Sequence, residues 1–295
     1  VFVENVRQIP TTAYAVSGTT LTFTAAPVSG TNNIYVLHHN TPASTATHPA
    51  AQALTATSGT FSSAVTINTT DTNFDVGADD LIVGSGSGDS GITIYTGGSV
   101  GDKGSIFFAD STVGSSAEKK GQISYEQNNE IMTFLTNDTL AMQIDLNGHV
   151  TMPKQPAFNA SNITVTQSNI AINTNVTVVF GTERFDNNGD FSSNTFTAPV
   201  DGRYQLNTMI RFSAIDTSAT YYALFIETSN RSYLNILDPN GFSQDLDYYT
   251  LSLSVLADMD ANDTAKIVIH QSAGTAQTDL SGGTGSCHFS GHLVA

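Results

Sequence analysis

Tyr204-Gln205-Leu206-Asn207-Thr208-Met209-Ile210-Arg211-Phe212 is the stretch whose reading decides the fold. It is one of five long apolar runs after Pro153, the others spanning 176–180, 221–226, 250–256 and 266–270. Val, Ile, Tyr, Phe and Thr dominate them, residues that fit a pleated, half-buried surface. The roughly 140 residues from 153 onward are enough to bury a core. Eight to ten strands with long antiparallel connections predict a sandwich or jelly roll there.

Upstream of Pro153 and Pro156 the strands are shorter and more polar. Residues 64–67, 81–83, 91–95, 105–109, 121–125, 131–135 and 141–145 read as strands, with Gly, Asp or Asn between them and a tight-hairpin dipeptide at Asn147-Gly148. Such strands need stacking or chain-to-chain pairing to stay folded, which a homotrimeric β-prism or shaft would supply. Further upstream, residues 1–37 read as about four strands around the turns Ser17-Gly18 and 26–30, too few to bury a core alone. The expected organisation is all-β: an N-terminal β module (1–39), a linker (40–63) rich in Pro, Ser, Thr and Ala, a β-rich shaft or repeat region (64–152), and a jelly-roll head (153–295). The first residue is Val1 rather than Met, which reads as a fragment of a longer protein.

Composition excludes several function classes. Charged residues are 12% of the 295, about half the usual share. Acids outnumber bases 26 to 10, a net charge of -16. Non-specific nucleic-acid binding needs a basic face to displace counterions, so DNA and RNA are not expected partners. No run approaches the ~20 apolar residues of a membrane helix. The single cysteine, Cys287, excludes an internal disulfide and a cysteine-built zinc cluster. Threonine is the commonest side chain, at 40 residues. Residues 8–70 hold no Asp, Glu, Lys or Arg. Exposed alone, such a tract has little charge to protect it from self-association. It reads either as a flexible tract or as a segment buried in a larger assembly, and its strand patterning favours assembly.

The C-terminal half carries specific motifs. Pro156-Ala157-Phe158-Asn159-Ala160 reads as an opening strand, Phe289-Ser290-Gly291-His292-Leu293 as a closing one. Between them, Phe185-Asp186-Asn187-Asn188-Gly189-Asp190-Phe191 precedes Thr195-Phe196-Thr197-Ala198-Pro199-Val200-Asp201-Gly202-Arg203-Tyr204, an aromatic before an Ala-Pro-x-x-Gly-x-Tyr turn. This half resembles the globular head of the complement and tumour-necrosis-factor superfamily. That resemblance implies a ten-strand jelly roll forming trimers about a three-fold axis. Asp258-Met259-Asp260-Ala261-Asn262-Asp263 departs from the shorter Gly-Asp turn of that family. In the front half, the run Val1 to Pro10, then Tyr14 to Phe23, Ala26-Pro27 and Ile34-Tyr35-Val36, resembles a small module near the virion-proximal end of many bacteriophage tail fibres. Residues 79–152, ending in Met142-Gln143-Ile144-Asp145-Leu146-Asn147-Gly148-His149-Val150, are similar to a repeat before the tip in fibres of aquatic phages.

Candidate chemistry is sparse. Asp186, Asp190, Asp258, Asp260 and Asp263 are oxygen ligands of the kind calcium takes, but Asp-Asn-Gly sequences are also turn formers, and the turn reading is preferred. No other cofactor is expected. His38 and His39 face opposite sides of a strand, so a trimer could place one of them three times about its axis; a polar strand end is the simpler reading. His288 and His292 share strand parity but read as structural. Cys287 and His288 are sequence neighbours, which in a strand point apart, against a nucleophile pair. Gly84-Ser85-Gly86-Ser87-Gly88 matches a phosphate loop only in glycine content, with no helix after it. Glu126 with Glu130, or Asp245 with Asp247, could serve as glycosidase carboxylates, but the shaft is short for a depolymerase groove, and no enzyme activity is expected. Tyr221, Tyr222, Tyr233, Tyr248 and Tyr249 crowd the head, where packing claims many of them. In the polar stretch 243–249, Gln244, Asp245, Asp247, Tyr248 and Tyr249 are the candidate receptor contacts, since tyrosine stacks on sugar faces and donates through its hydroxyl.

Together with the tail-fibre resemblance, these readings point to a homotrimeric phage fibre protein on the virion surface. Its expected partners are itself, other virion tail or capsid proteins, and a host surface glycan or protein receptor. The alternatives are an architectural connector or decoration protein without receptor binding, and a glycan-depolymerising tailspike.

Overall fold

The computed structural model describes residues 1–37, 65–67, 75, 77–78, 80–84, 86–111, 115–161, 167–282 and 285–295. His38, His39 and the tract 40–63 read as a linker lie outside the described residues. The described chain is all-β as expected; its only helical turns are the 3-10 segments Ser115–Lys119 and Pro239–Gly241. It forms two compact units, Val1–Gly91 and Ile92–Ala295.

The first unit holds β1 (Phe2–Val3), β2 (Val6–Arg7), β3 (Tyr14–Ser17), β4 (Thr20–Phe23), β5 (Ile34–Tyr35), β6 (Val65–Ile67) and β7 (Leu81–Val83). β1 pairs antiparallel with β2 and β5, and Phe2 stacks on Tyr35 with centroids 4.9 Å apart. β3 and β4 form a hairpin whose turn places Gly18 at φ 57°. β6 and β7 pair in parallel. No residue of 1–37 is fully buried, which fits the expectation of too few strands for a core.

The second unit opens with an antiparallel meander: β8 (Lys103–Phe108), β9 (Gly121–Glu126), β10 (Ile131–Thr136), β11 (Thr139–Ile144) and β12 (Val150–Thr151). Alternation sorts its side chains to two faces. One face carries the cross-strand polar pairs Lys103 with Glu126 at 3.4 Å and Ser124 with Thr133 at 2.7 Å, and, beside them, Phe107, Ile131, Leu135 and Leu140. The other carries the register row Ile106, Ile123, Phe134 and Met142, flanked by Phe108, Tyr125, Met132 and Ile144. None of these eight side chains is buried; Ile106 is 49% exposed and Phe108 59%. Residues 91–95 alternate as a strand should but pair with no strand among the described residues. Their place is against the apolar face, where Ile92 and Ile94 line a cleft of about 230 Å³ with Ile106, Ile123, Tyr125 and Met132. Gly104 admits this approach, since a Cβ there would lie 3.1 Å from Ile94 Cγ2.

The remainder is a two-sheet sandwich built from β13 (Ala157–Ser161), β14 (Asn175–Thr177), β15 (Thr182–Asp186), β16 (Phe191–Ser192), β17 (Thr195–Thr197), β18 (Gly202–Ile215), β19 (Tyr221–Thr228), β20 (Ser232–Leu237), β21 (Leu246–Met259), β22 (Thr264–Ser272), β23 (Asp279–Leu280) and β24 (His288–Leu293). The sheets run β15-β13-β24-β18-β21 and β16-β17-β22-β19-β20, with short β23 and β14 added beside β18 and β22. The pairs nest: β13 with β24, β17 with β22, β18 with β21, β19 with β20. That nesting is the winding of a jelly roll, and the two five-strand paths make up the expected ten strands. The expected strand at 176–180 stops at Thr177, because the Phe180 N–H donates to the Asn194 side chain (2.8 Å) instead of to a neighbouring strand.

The core lies between these sheets. Tyr204, Leu206, Ile210 and Phe212 point inward from β18 toward Tyr222, Leu224 and Ile226 of β19 and Ile267 and Ile269 of β22. Phe158 sits at the centre of an aromatic cluster, with ring centroids 4.6 Å from Phe196, 4.9 Å from Phe289 and 5.1 Å from Phe191. The Tyr204 hydroxyl donates to the Val200 carbonyl at 2.8 Å, tying down the Ala-Pro turn before β18.

Candidate functional site

The polar stretch 243–249 follows a Pro-initiated 3-10 turn at Pro239–Gly241, capped by Asp238, and is loop only up to Asp245, since Asp247, Tyr248 and Tyr249 lie within β21. Gln244, Asp245, Asp247 and Tyr248 are all exposed. Asp245 is already engaged: it accepts the Thr217 backbone N–H (2.8 Å) and hydroxyl (2.7 Å), which hold its carboxyl below the usual range. Strand alternation sends Tyr249 the other way. It packs on the core, its ring 6.1 Å from Phe242. Tyr248 remains as an open ring, 64% exposed.

The other tyrosines are mostly structural. Tyr222 is fully buried, its hydroxyl accepting the Asp216 N–H at 2.9 Å, and burial pushes its phenol up to about 12. Tyr233 packs against the core, and Tyr221 stacks on His270 with centroids 5.8 Å apart.

Sequence reasoning missed Arg211. It points outward from the decisive run on β18, diagonal to Tyr248 across the β18–β21 ladder. Its guanidinium carbon lies 5.2 Å from the Tyr248 ring centre, and Nη2 donates to Ser281 Oγ at 2.7 Å. Its Nε is buried and has no hydrogen-bond partner among the described residues. The signal available in the sequence was a lone charge inside an otherwise uncharged run.

Of the carboxylates considered for calcium, Asp186 and Asp263 accept backbone N–H groups in turns, while Asp258 lies in β21. Asp186 accepts the backbone N–H groups of Gly189, Asp190 and Phe191. Asp263 accepts Asp260 N–H and the Asn230 side-chain amide, and Asp258 pairs with Arg231 at 3.5 Å. No group of three or more His, Cys, Asp or Glu comes together among the described residues. Of the proposed carboxylate pairs, Glu126 is taken up by Lys103 while Glu130 sits in the β9–β10 turn at φ 53°. Cys287 is fully buried and donates to Ser281 O at 3.4 Å; burial raises its thiol, against the opposing effect of Arg211. His288, half-buried, is held toward its neutral form by that burial, and His292 is exposed on the same strand.

No protein-family model matches the chain, and no curated protein matches it. Among solved structures it is similar to the globular domain of zebrafish complement 1qA protein, at 18% identity and a TM-score of 0.34, over 48% of this chain and 98% of that one. It is also similar to murine APRIL in two structures, at 11% and 10% identity with TM-scores of 0.36 and 0.35, over 48% of this chain and 100% of each. The jelly-roll assignment itself rests on the nested strand pairs of the ladders described above.

Proposed function

We propose that this chain is a non-enzymatic structural and adhesion protein: a homotrimeric virion fibre of a bacteriophage whose C-terminal jelly roll contacts a host surface glycan or protein. The observation that carries the reading is the apolar face of β8–β12, which Ile92 and Ile94 cover only in part and on which no side chain is fully buried. An antiparallel sheet with one apolar face needs a second layer, and each such side chain contributes about 1.5–3 kcal/mol when fully withdrawn from water. Copies of the same sheet, related by rotation, are a ready source of that layer. The likeness of 1–37 and 79–152 to fibre modules supports the virion setting. Attachment then works by avidity, with several weak head contacts engaging together.

Light scattering on the purified chain tests the assembly: a mass near three times 31.1 kDa supports it, and a stable 31.1 kDa monomer overturns it. Pull-down on whole host cells tests the attachment. A trimer that binds no cell favours the architectural connector. Release of reducing ends from host polysaccharide would instead favour the tailspike.

A further inference from the structure

Arg211 is a cation without an anion. No carboxylate lies within 4.0 Å of it among the described residues. Asp279, opposite Ser213 on the β18–β23 ladder, is turned instead to the Asn169 backbone N–H at 2.6 Å. Of the guanidinium donors, Nη2 reaches Ser281 Oγ and, more distantly, Gly282 O at 3.5 Å; Nη1 has no acceptor among the described residues, and Nε is buried with none. Beside it stands the exposed Tyr248 ring.

Resting on the adhesion reading above, we propose that Arg211 and Tyr248 form a subsite for a carboxylate-bearing saccharide. Nη1, the guanidinium donor left open, offers a carboxylate oxygen a charge-assisted hydrogen bond. The phenol ring gives the C–H face of a sugar a surface to stack on and a hydroxyl to bond. The long-range field of a chain with net charge -16 repels polyanions but opposes a single charge only weakly, which favours a monoanionic sugar.

The test is calorimetric titration of the full chain with a panel of glucuronate-, galacturonate- and sialate-terminated oligosaccharides, each against its neutral counterpart. At least one acidic member is expected to bind roughly ten- to hundredfold more tightly than its neutral partner. Arg211→Gln should erase that difference without changing the oligomeric mass, and Arg211→Lys should restore part of it. Tyr248→Ala, at an exposed position that folding does not need, should weaken acidic and neutral forms alike. The proposal is overturned if no acidic member outbinds its neutral partner. It is equally overturned if Arg211→Gln dissociates the oligomer while leaving saccharide affinity intact, which would assign the missing carboxylate to a second copy of this chain. Whole-cell binding separates the two levels. Cell binding unaffected by Arg211→Gln removes the subsite and leaves adhesion standing, whereas a wild-type chain that binds no cell removes adhesion itself.

Discussion

Gly291 and Phe158 meet so closely that the missing side chain of one is the space occupied by the other: a Cβ on Gly291 would lie 2.8 Å from Phe158 Cε1 and 2.7 Å from Leu206 Cδ2. The two residues pair directly across the β13–β24 ladder, so neither strand can shift without breaking register. Gly291→Ala is therefore an overpacking substitution and should destabilise by about 1–3 kcal/mol. Phe158→Ala empties the aromatic cluster and should cost about 3–5 kcal/mol. Urea denaturation monitored by tyrosine fluorescence checks both, and a Gly291→Ala chain as stable as wild type would refute the steric account.

Asp216 predicts an acid response. Burial alone would raise its carboxyl, but the Ser218 hydroxyl and the backbone N–H groups of Ala276, Ser218 and Thr275 outweigh that effect and hold it well below the ordinary carboxylate range. A carboxyl depressed in the folded state contributes stability that is fully present above the unfolded value, about pH 4, and is lost as pH falls toward the folded value. Asp216→Asn should lower stability at pH 7 by about 2–4 kcal/mol, since backbone donors lose a charged acceptor. It should also flatten the fall in stability below about pH 4. Melting temperatures of both chains from pH 7 down to pH 3 give the answer, and parallel curves would exclude Asp216 as the source.

Charge placed on the apolar face of β8–β12 separates a shared sheet from a solitary one. Phe134 is only partly buried within one chain, so Phe134→Asp should change the stability of a monomer little. In a trimer that covers this face it should part the shared sheets and lower the sedimentation coefficient, even where the heads hold three chains together. Gln122→Ala, on the opposite face, serves as the control and should leave the coefficient unchanged. Sedimentation velocity reads all three chains at once.

Cys287 should be chemically silent while the sandwich is intact. Its thiol is fully buried and shifted upward, so the reactive thiolate is scarce as well as inaccessible. Iodoacetamide at pH 8 is expected to leave the native protein unmodified and to alkylate it completely in denaturant. Rapid native alkylation would mean that the loop between β23 and β24 opens readily.

Much of the sandwich could be read from apolar runs, since 204–212, 221–226, 250–256 and 266–270 all fall inside long strands. β20 was not legible in that way. Leu234 and Ile236 point outward while Tyr233 and Leu237 point inward, so apolar residues on both faces of an edge strand blur the alternation. Residues 91–95 show the opposite failure. Alternation reports which way side chains point, not whether another strand's N–H and C=O groups stand alongside. The role of Asp216 was invisible for a different reason: its donors Thr275 and Ala276 are 59 and 60 residues away and reach it only through the winding of the fold. Tyr248 was legible as an aromatic in a polar stretch, whereas Arg211 becomes a site only once its empty donors and the adjacent ring are seen together.

The meander of β8–β12 ends at Thr151, and the first strand of the jelly roll begins at Ala157. So a segment with an unfinished face is tethered, by a handful of residues, to one that carries a complete core. Within a trimer such a tether sets the order of events. The self-sufficient half can fold at any dilution, and once three of them join, their attached sheets are confined at high local concentration. Truncating the C-terminal half would therefore do more than delete a binding surface, because it would leave the remaining sheets to find one another by free diffusion.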